Sequence, residues 1–292
     1  MKIVHEPDLA GLSTLKMGGR AAAAFYPEQK TDLEDLARSW NRWGDRILFM
    51  GRGSNILFTE DNRDLVLVRW QEARDPFILE RGEQKSVIRV DGGCPLPRLV
   101  GWCAKTGLSG LEALAGIPGS VGGAVAMNAG SHQVEICRLV TGLKIWTPEN
   151  GILTLSEGDF SHGYRYFSPD TEVDEFLIMS VEIRLFPDSP ARVFERTKNY
   201  YLQKKKNQPV LAATAGCVFK NPDRGAPAGK LLDLAGYRGR RKGGVCFSEK
   251  HANFLVNMGR GTCVQALELI QEAGNNVQRI FGISLDMEIL VV

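Results

Sequence analysis

The chain has 292 residues, 43% hydrophobic and 24% charged, and its 36 basic and 34 acidic side chains leave a net charge of +2. Such a length serves two or three packed units, since one core usually organises about 100–200 residues. The near balance of charge argues against the one-sided basic footprint of a nucleic-acid binder. No apolar run approaches the roughly 20 residues that cross a bilayer, and Met1 to Pro7 lacks the apolar stretch of a secretory signal. A cytoplasmic location without membrane attachment is the expectation.

In chain order, Ala21 to Tyr26 reads as a strand and Thr31 to Leu36 opens a helix, with Thr31 as its cap and acids in the first turn. Arg46 to Phe49 reads as a strand that runs into Gly51-Arg52-Gly53-Ser54-Asn55, and Ile56–Phe58 and Leu65–Val68 continue extended. Ser86 to Val90 is a further strand, followed by a helix from Leu96 to Lys105 that Gly107 ends. After a glycine-rich stretch to Gly130, strands are predicted at Leu139–Trp146, Gly151–Leu155 and Phe176–Leu185. Few helices among many strands predict an α+β architecture. Two prolines in Phe186-Pro187-Asp188-Ser189-Pro190 mark a boundary. It divides the chain into 1–187, with subdomains of about 1–68 and 69–187, and 188–292. Beyond it Ala191–Lys206 reads as a basic helix. A last helix starts at Thr262 with Gln265 as capping-box partner and Val264, Leu267, Leu269 and Ile270 as its apolar face, and Leu285–Val292 closes as a strand.

The 32 glycines exceed the usual share of about 7% and cluster instead of spreading. Glycine serves where backbone turns sharply or approaches a ligand. Gly51 to Asn55 is compatible with a phosphate cradle or with a plain tight turn, and Ile56 at the third-glycine position rules out a Rossmann fingerprint. The run from Gly110 to Gly130 holds Gly116, Gly119, Gly122 and Gly123 within eight residues, a density that points to main chain against a flat ligand. Gly225 to Leu231 has the look of a P-loop, but its glycine spacing is one short and Leu231 stands where magnesium would need Ser or Thr. Of six cysteines none forms a CxxC pair or a zinc-ligand spacing with histidine, so no metal is expected and five read as buried thiols. Cys217 stands apart, within Gly216-Cys217-Val218-Phe219-Lys220-Asn221-Pro222. Its thiol could be a nucleophile, a proton donor or packing.

Taken together, these segments resemble the UDP-N-acetylenolpyruvoylglucosamine reductase family in order along almost the whole chain. The residues that carry the resemblance are Thr14, Gly18-Gly19, Gly51 to Asn55, Gly116-Ile117-Pro118-Gly119 through Asn128-Ala129-Gly130, and Tyr164-Arg165. Further along come Gly216 to Pro222, Ser248 with Lys250-His251-Ala252-Asn253-Phe254, and Glu288. The resemblance implies an FAD-binding domain of the vanillyl-alcohol-oxidase (PCMH) type and a smaller C-terminal α+β substrate-binding domain. FAD, held non-covalently, would lie on Gly51, Arg52, Gly53, Ser54 and Asn55 and on Gly116, Ile117, Pro118, Gly119, Gly122, Gly123 and Ala124. NADPH would be the co-substrate, and the reaction would reduce UDP-N-acetylglucosamine enolpyruvate to UDP-N-acetylmuramate for peptidoglycan.

By the same resemblance Arg165 would bind the enolpyruvyl carboxylate, Glu288 would complete the site, and Cys217 would donate the proton. Serine usually fills that last place; a thiol, with an ordinary pKa of about 8.5, is the stronger acid. Tyr164, Lys220 and Asn221 would meet the nucleotide-sugar, and so would Lys204. At Lys204 and Asn207 the family tends to have arginine and lysine, and lysine does not reproduce an arginine fork; Lys205 and Lys206 could serve instead, or this helix face could simply be solvated. His251 reads as structural or supporting. The short interval between Arg184 and Lys204 matches the subgroup without an extra substrate-capping loop. A monomer is expected. The alternatives are another flavin oxidoreductase or oxidase on the same FAD fold and a nucleotide-sugar binder without turnover.

Overall fold

A computed structural model describes every residue except Asp45, Glu172 and Asp174. The chain forms two units, neither continuous: 1–5, 23–52 and 64–202 make the first, and 6–22, 53–63 and 203–292 make the second.

The first unit is built on two sheets. In the smaller one Lys2–His5 lies antiparallel to Arg20–Tyr26, and Ile47–Phe49 runs parallel to the end of Asp61–Val68. The larger sheet is antiparallel, in the order Gly151–Ser156, Val140–Thr147, Leu177–Pro187, Ser86–Asp91, Phe77–Arg81, with Leu108–Ser109 also paired to Leu177–Pro187. Side chains on Ser86–Asp91 alternate strictly between buried and half-buried. That is the two-residue period of a strand with one face on a core. Ile88, Val90, Val181 and Ile183 supply that face.

Four helices join these strands: α1 (Lys30–Ser39), α2 (Leu96–Thr106), α3 (Val121–Ala126) and α4 (Pro190–Asn207), the last passing into the second unit. Helix α2 buries Leu96, Leu99, Val100, Cys103 and Ala104, the spacing of one helical face. Gly107 ends it in the left-handed conformation at φ 71°, as the sequence predicts. Helix α1 begins one residue before Thr31, and its cap is built differently from the prediction. The cap is Gln29, not Thr31, in a capping box with Asp32, whose carboxylate accepts from the backbone N–H groups of Glu28 (2.8 Å) and Gln29 (3.2 Å) just before the helix.

The second unit has a four-stranded antiparallel sheet, in the order Ala213–Cys217, Phe254–Asn257, Val245–Phe247, Arg241–Lys242. Helices α5 (Ala228–Leu234) and α6 (Cys263–Phe281) share its core. The capping box at α6 forms as predicted, with Thr262 Oγ1 accepting from the Gln265 N–H at 3.2 Å and Gln265 Oε1 from the Thr262 N–H at 3.3 Å. Its apolar stripe is Cys263, Ala266, Leu269, Ile270, Ala273 and Val277. Val264 is 58% exposed, because it lies one residue, about 100° of arc, beyond Cys263 at the edge of that stripe.

The predicted closing strand shortens to Leu290–Val291, which runs parallel to Ile56–Leu57. The residues before it bind elsewhere: the N–H of Lys220 donates to Asp286 O (2.8 Å) and the N–H of Glu288 to Val218 O (2.7 Å). No helix among the described residues is long and apolar enough to cross a membrane.

Candidate active site

Three strands, Ile47–Phe49, Asp61–Val68 and Ser86–Asp91, end in the first unit around one cleft of about 190 Å³. The residues that follow them line it: Gly51 and Arg52, then Arg69 and Trp70, then Gly92 and Gly93. The start of α3 closes another side with Ser120, Gly122 and Gly123. This volume is below the roughly 300–1,000 Å³ of a pocket for a whole drug-sized molecule, so a larger ligand would enter the cleft only in part.

Close backbone approach shapes the cleft. A Cβ on Gly92 would fall 2.0 Å from Ile178 O, and one on Gly51 would fall 2.3 Å from Ser120 Oγ. That hydroxyl cannot simply turn away, because it caps α3 by accepting from the Gly123 N–H at 3.3 Å. The N–H of Val121 goes to Cys94 O (2.9 Å) and that of Gly122 to Gly92 O (2.8 Å). With these donors already used, the cleft's positive charge comes from Arg52 and Arg69, since the Arg98 guanidinium is paired with Asp75 at 2.6 Å. Burial and then the charge of Arg52 push the Arg69 guanidinium pKa down. Two like charges beside one cleft favour an anion between them. The buried indole N–H of Trp70 has no acceptor among the described residues. A ligand carrying phosphates and further polar groups fits this donor set.

Of the residues expected from sequence to hold the cofactor, Gly51, Arg52, Gly122 and Gly123 line this cleft. Gly116 and Gly119 adopt φ 81° and 121° at the two ends of the loop before Ser120; Ile117 packs on the core and Ala124 is buried in it. Gly53, Ser54 and Asn55 continue the loop into the second unit. The N–H of Thr14 donates to Gly53 O there at 3.1 Å. Sequence reading missed Arg69, Trp70, Gly92, Gly93, Arg98 and Ser120. Gly92-Gly93 directly after a predicted strand was a signal of the same kind as Gly51.

Arg165 sits in the first unit at a hairpin between Phe160–Gly163 and Tyr166–Pro169, with φ 55°. Its guanidinium donates to Gly130 O (3.3 Å) and Asn128 O (3.5 Å) and lies 5.1 Å from the centre of the half-exposed Tyr164 ring. Buried Asn128 links the two loops, donating from Nδ2 to Gly163 O at 2.7 Å. The glycine-rich stretch and the Arg165 hairpin are therefore one construction.

The second unit holds Cys217 and Glu288 on adjoining segments. Cys217, half-buried, ends the strand Ala213–Cys217 after Gly216 at φ 86°. Thr14 Oγ1 donates to Thr214 O at 2.7 Å on the same strand. Buried Asn253 fixes the next residues: Phe219 N–H donates to its Oδ1 (3.0 Å), its Nδ2 to Phe219 O (2.8 Å), and Val218 N–H to its backbone O (2.8 Å). Glu288 enters opposite Val218, the residue after Cys217. Lys220 follows on the same segment, and Asn221 Oδ1 accepts from the N–H of Ala228 at the start of α5 (3.0 Å).

His251 lies nearby with its pKa held down by burial, then by Arg238. Its Nδ1 accepts from the Asn253 N–H at 3.2 Å, as a neutral ring does. Lys204 is 3% exposed, unlike its exposed neighbours Lys205 and Lys206, and burial pushes its pKa down to about 8. Anions stabilise the protonated form of such a buried ammonium.

The cleft and its arginines suit a phosphate-bearing ligand, and residues 21–156 match the FAD binding domain, which makes the chain a flavoprotein. Residues 208–292 match the UDP-N-acetylenolpyruvoylglucosamine reductase C-terminal domain. The chain is 40% identical over 292 residues to the UDP-N-acetylenolpyruvoylglucosamine reductase of Nitratidesulfovibrio vulgaris, covering 100% of this chain and 99% of that one. It is 38% identical to the enzyme of Oleidesulfovibrio alaskensis, covering 99% and 97%. The crystal structure of the reductase from Thermus caldophilus superposes with a TM-score of 0.80 at 28% identity, covering 99% of this chain and 98% of that one. The chain belongs to the UDP-N-acetylenolpyruvoylglucosamine reductase family.

Proposed function

We propose that the chain reduces UDP-N-acetylglucosamine enolpyruvate to UDP-N-acetylmuramate at the expense of NADPH, as a step in making peptidoglycan precursors. The observation that carries this reading is likeness over the full length of both units to reductases of that name. FAD, when bound, would supply the two-electron chemistry that links NADPH to the enolpyruvyl double bond. Gly51, Arg52, Arg69, Gly122 and Gly123 would hold its phosphate-bearing segment, by shape at the glycines and by charge at the arginines.

Arg165 binds the enolpyruvyl carboxylate with its guanidinium fork. As hydride arrives at the CH₂ terminus, negative charge builds on the adjacent carbon and spreads into that carboxylate. A charge-assisted fork stabilises the spread charge more than the ground state. Cys217 then gives its Sγ proton to the adjacent carbon, which completes the addition of one hydride and one proton across the double bond. Glu288 completes the site beside it. Tyr164, Lys220, Asn221 and Lys204 contact the nucleotide-sugar, with the Lys204 ammonium favoured by a diphosphate. NADPH and a nucleotide-sugar are cytoplasmic metabolites, so the chain works there, and we read it as a monomer.

Anaerobic stopped-flow absorbance tests the function. NADPH should bleach the yellow protein, and the enolpyruvyl nucleotide should restore its colour. Bleaching without recolouring by that substrate would overturn the assignment. The cradle has its own test. Gly51→Ala is expected to weaken FAD binding about 10–100-fold, as overpacking of about 1–3 kcal/mol implies, in a fluorescence titration of the apoprotein. Unchanged affinity would remove Gly51 from the cofactor site.

A further inference from the structure

We infer that Asn55 is a positioning residue for Glu288; the inference rests on the proposed role of Glu288 in the reaction. Asn55 follows the glycine loop and belongs to the second unit. Its side-chain Nδ2 donates to Glu288 O at 2.9 Å, and its own backbone O accepts from the N–H of Leu290 at 2.9 Å. The residues that follow continue this contact as a parallel ladder, Ile56 against Leu290 and Leu57 against Val291. The Asn55 amide thus adds one rung in place of a backbone group, at the point where the ladder stops and the functional residue begins.

The peptide groups on either side of Glu288 are held from different directions. Its N–H donates to Val218 O at 2.7 Å, next to Cys217, and its C=O accepts from Asn55. Such a clamp limits rotation about the backbone bonds that aim the Glu288 side chain. Asn55 is itself fixed from behind. Gly53 turns at φ 64°, where a Cβ would fall 2.4 Å from Leu12 O, and Gly53 O accepts from the Thr14 N–H at 3.1 Å. Asparagine suits the place because it presents an N–H donor at short reach; aspartate has the same shape but only acceptors.

The bond between Leu290 and Asn55 uses backbone atoms alone, so side-chain variants keep it. Asn55→Ala is expected to slow reoxidation of the reduced flavin by the enolpyruvyl nucleotide about 10–100-fold, the cost of misplacing a functional group by about an ångström. On FAD-saturated protein reoxidation should slow more than reduction by NADPH, because Asn55 also stands in the loop expected to hold the cofactor and a cofactor effect alone would slow both. Asn55→Asp should behave like alanine, and it supplies the same readouts if alanine prevents folding. In a Glu288→Gln background, Asn55→Ala should add less than about threefold, because two changes acting through one group are not additive.

Several outcomes would overturn the inference. Full multiplication of the two effects is one, and equal slowing of both half-reactions with a lower thermal midpoint is another. Normal reoxidation in Asn55→Ala, with Glu288→Gln slow, would sink the positioning role alone. Normal reoxidation in Glu288→Gln would sink the reading of Glu288 and the inference with it.

Discussion

Cys217→Ala is expected to slow reoxidation of the reduced flavin by the enolpyruvyl nucleotide about 10²–10⁴-fold, the usual contribution of a positioned general acid. Reduction by NADPH, which needs no proton from this residue, should stay within a few-fold of the parent. Cys217→Ser should recover much of the loss, since a hydroxyl can donate from the same Cβ. The geometry gives the side chain a defined origin. It ends a strand tied by Thr14 at Thr214, and Asn253 secures the two residues after it. Removing Sγ therefore takes away the proposed proton source and leaves the backbone in place. Rapid reoxidation in the alanine variant would place the donor elsewhere. A serine variant as slow as alanine would mean the thiol has a task that donation does not describe.

The second large effect is expected at Arg165. Arg165→Ala should cost about 10²–10³-fold in reoxidation, the measured scale for losing one donor to a developing anion. Arg165→Lys should recover little of this, because an ammonium offers a point charge instead of two parallel N–H donors. The hairpin supplies a separate readout. Arg165 holds φ 55°, a conformation costing a non-glycine residue about 1–3 kcal/mol. Arg165→Gly should therefore keep or raise the thermal midpoint while losing turnover as alanine does. A glycine variant that is both stable and fully active would show that the strained residue has no chemical task. The strain is consistent with function because the fold maintains it: the guanidinium meets the carbonyls of Asn128 and Gly130 instead of relaxing into solvent.

What could be read ahead of the structure was local. Thr262 and Gln265 predict a helix start because both partners lie within one turn, and they form that start. Gly107 ends α2 for an equally local reason. Helix α3 was illegible, since Val121-Gly122-Gly123-Ala124-Val125-Ala126 has two poor helix formers in six residues. It forms because Ser120 caps it and because its backbone bonds to Gly92 and Cys94, which lie far back in the chain.

Lys204 gives the same lesson on a single side chain. Lys204, Lys205 and Lys206 look alike in sequence, yet only Lys204 is buried, because helical rotation turns one of three successive residues inward. Nor does hydrophobic pattern say which core a segment joins. Residues 6–22 and 53–63 pack with 203–292, and nothing local in them names that partner.

The sequence by itself determined the family, the strand and helix periods, the glycine clusters and the three residues proposed for the chemistry. Each of these is a property of residue type and order. Tertiary structure decided that Arg69, Trp70 and Gly92 share a cleft with Gly51, that Asn253 locks the segment after Cys217, and that Asn55 reaches Glu288 across 233 residues of chain. The physical reason is that these are pairings between backbone or polar groups with no side-chain pattern to announce them. Only folding brings such donors and acceptors within the roughly 3 Å at which hydrogen bonds act.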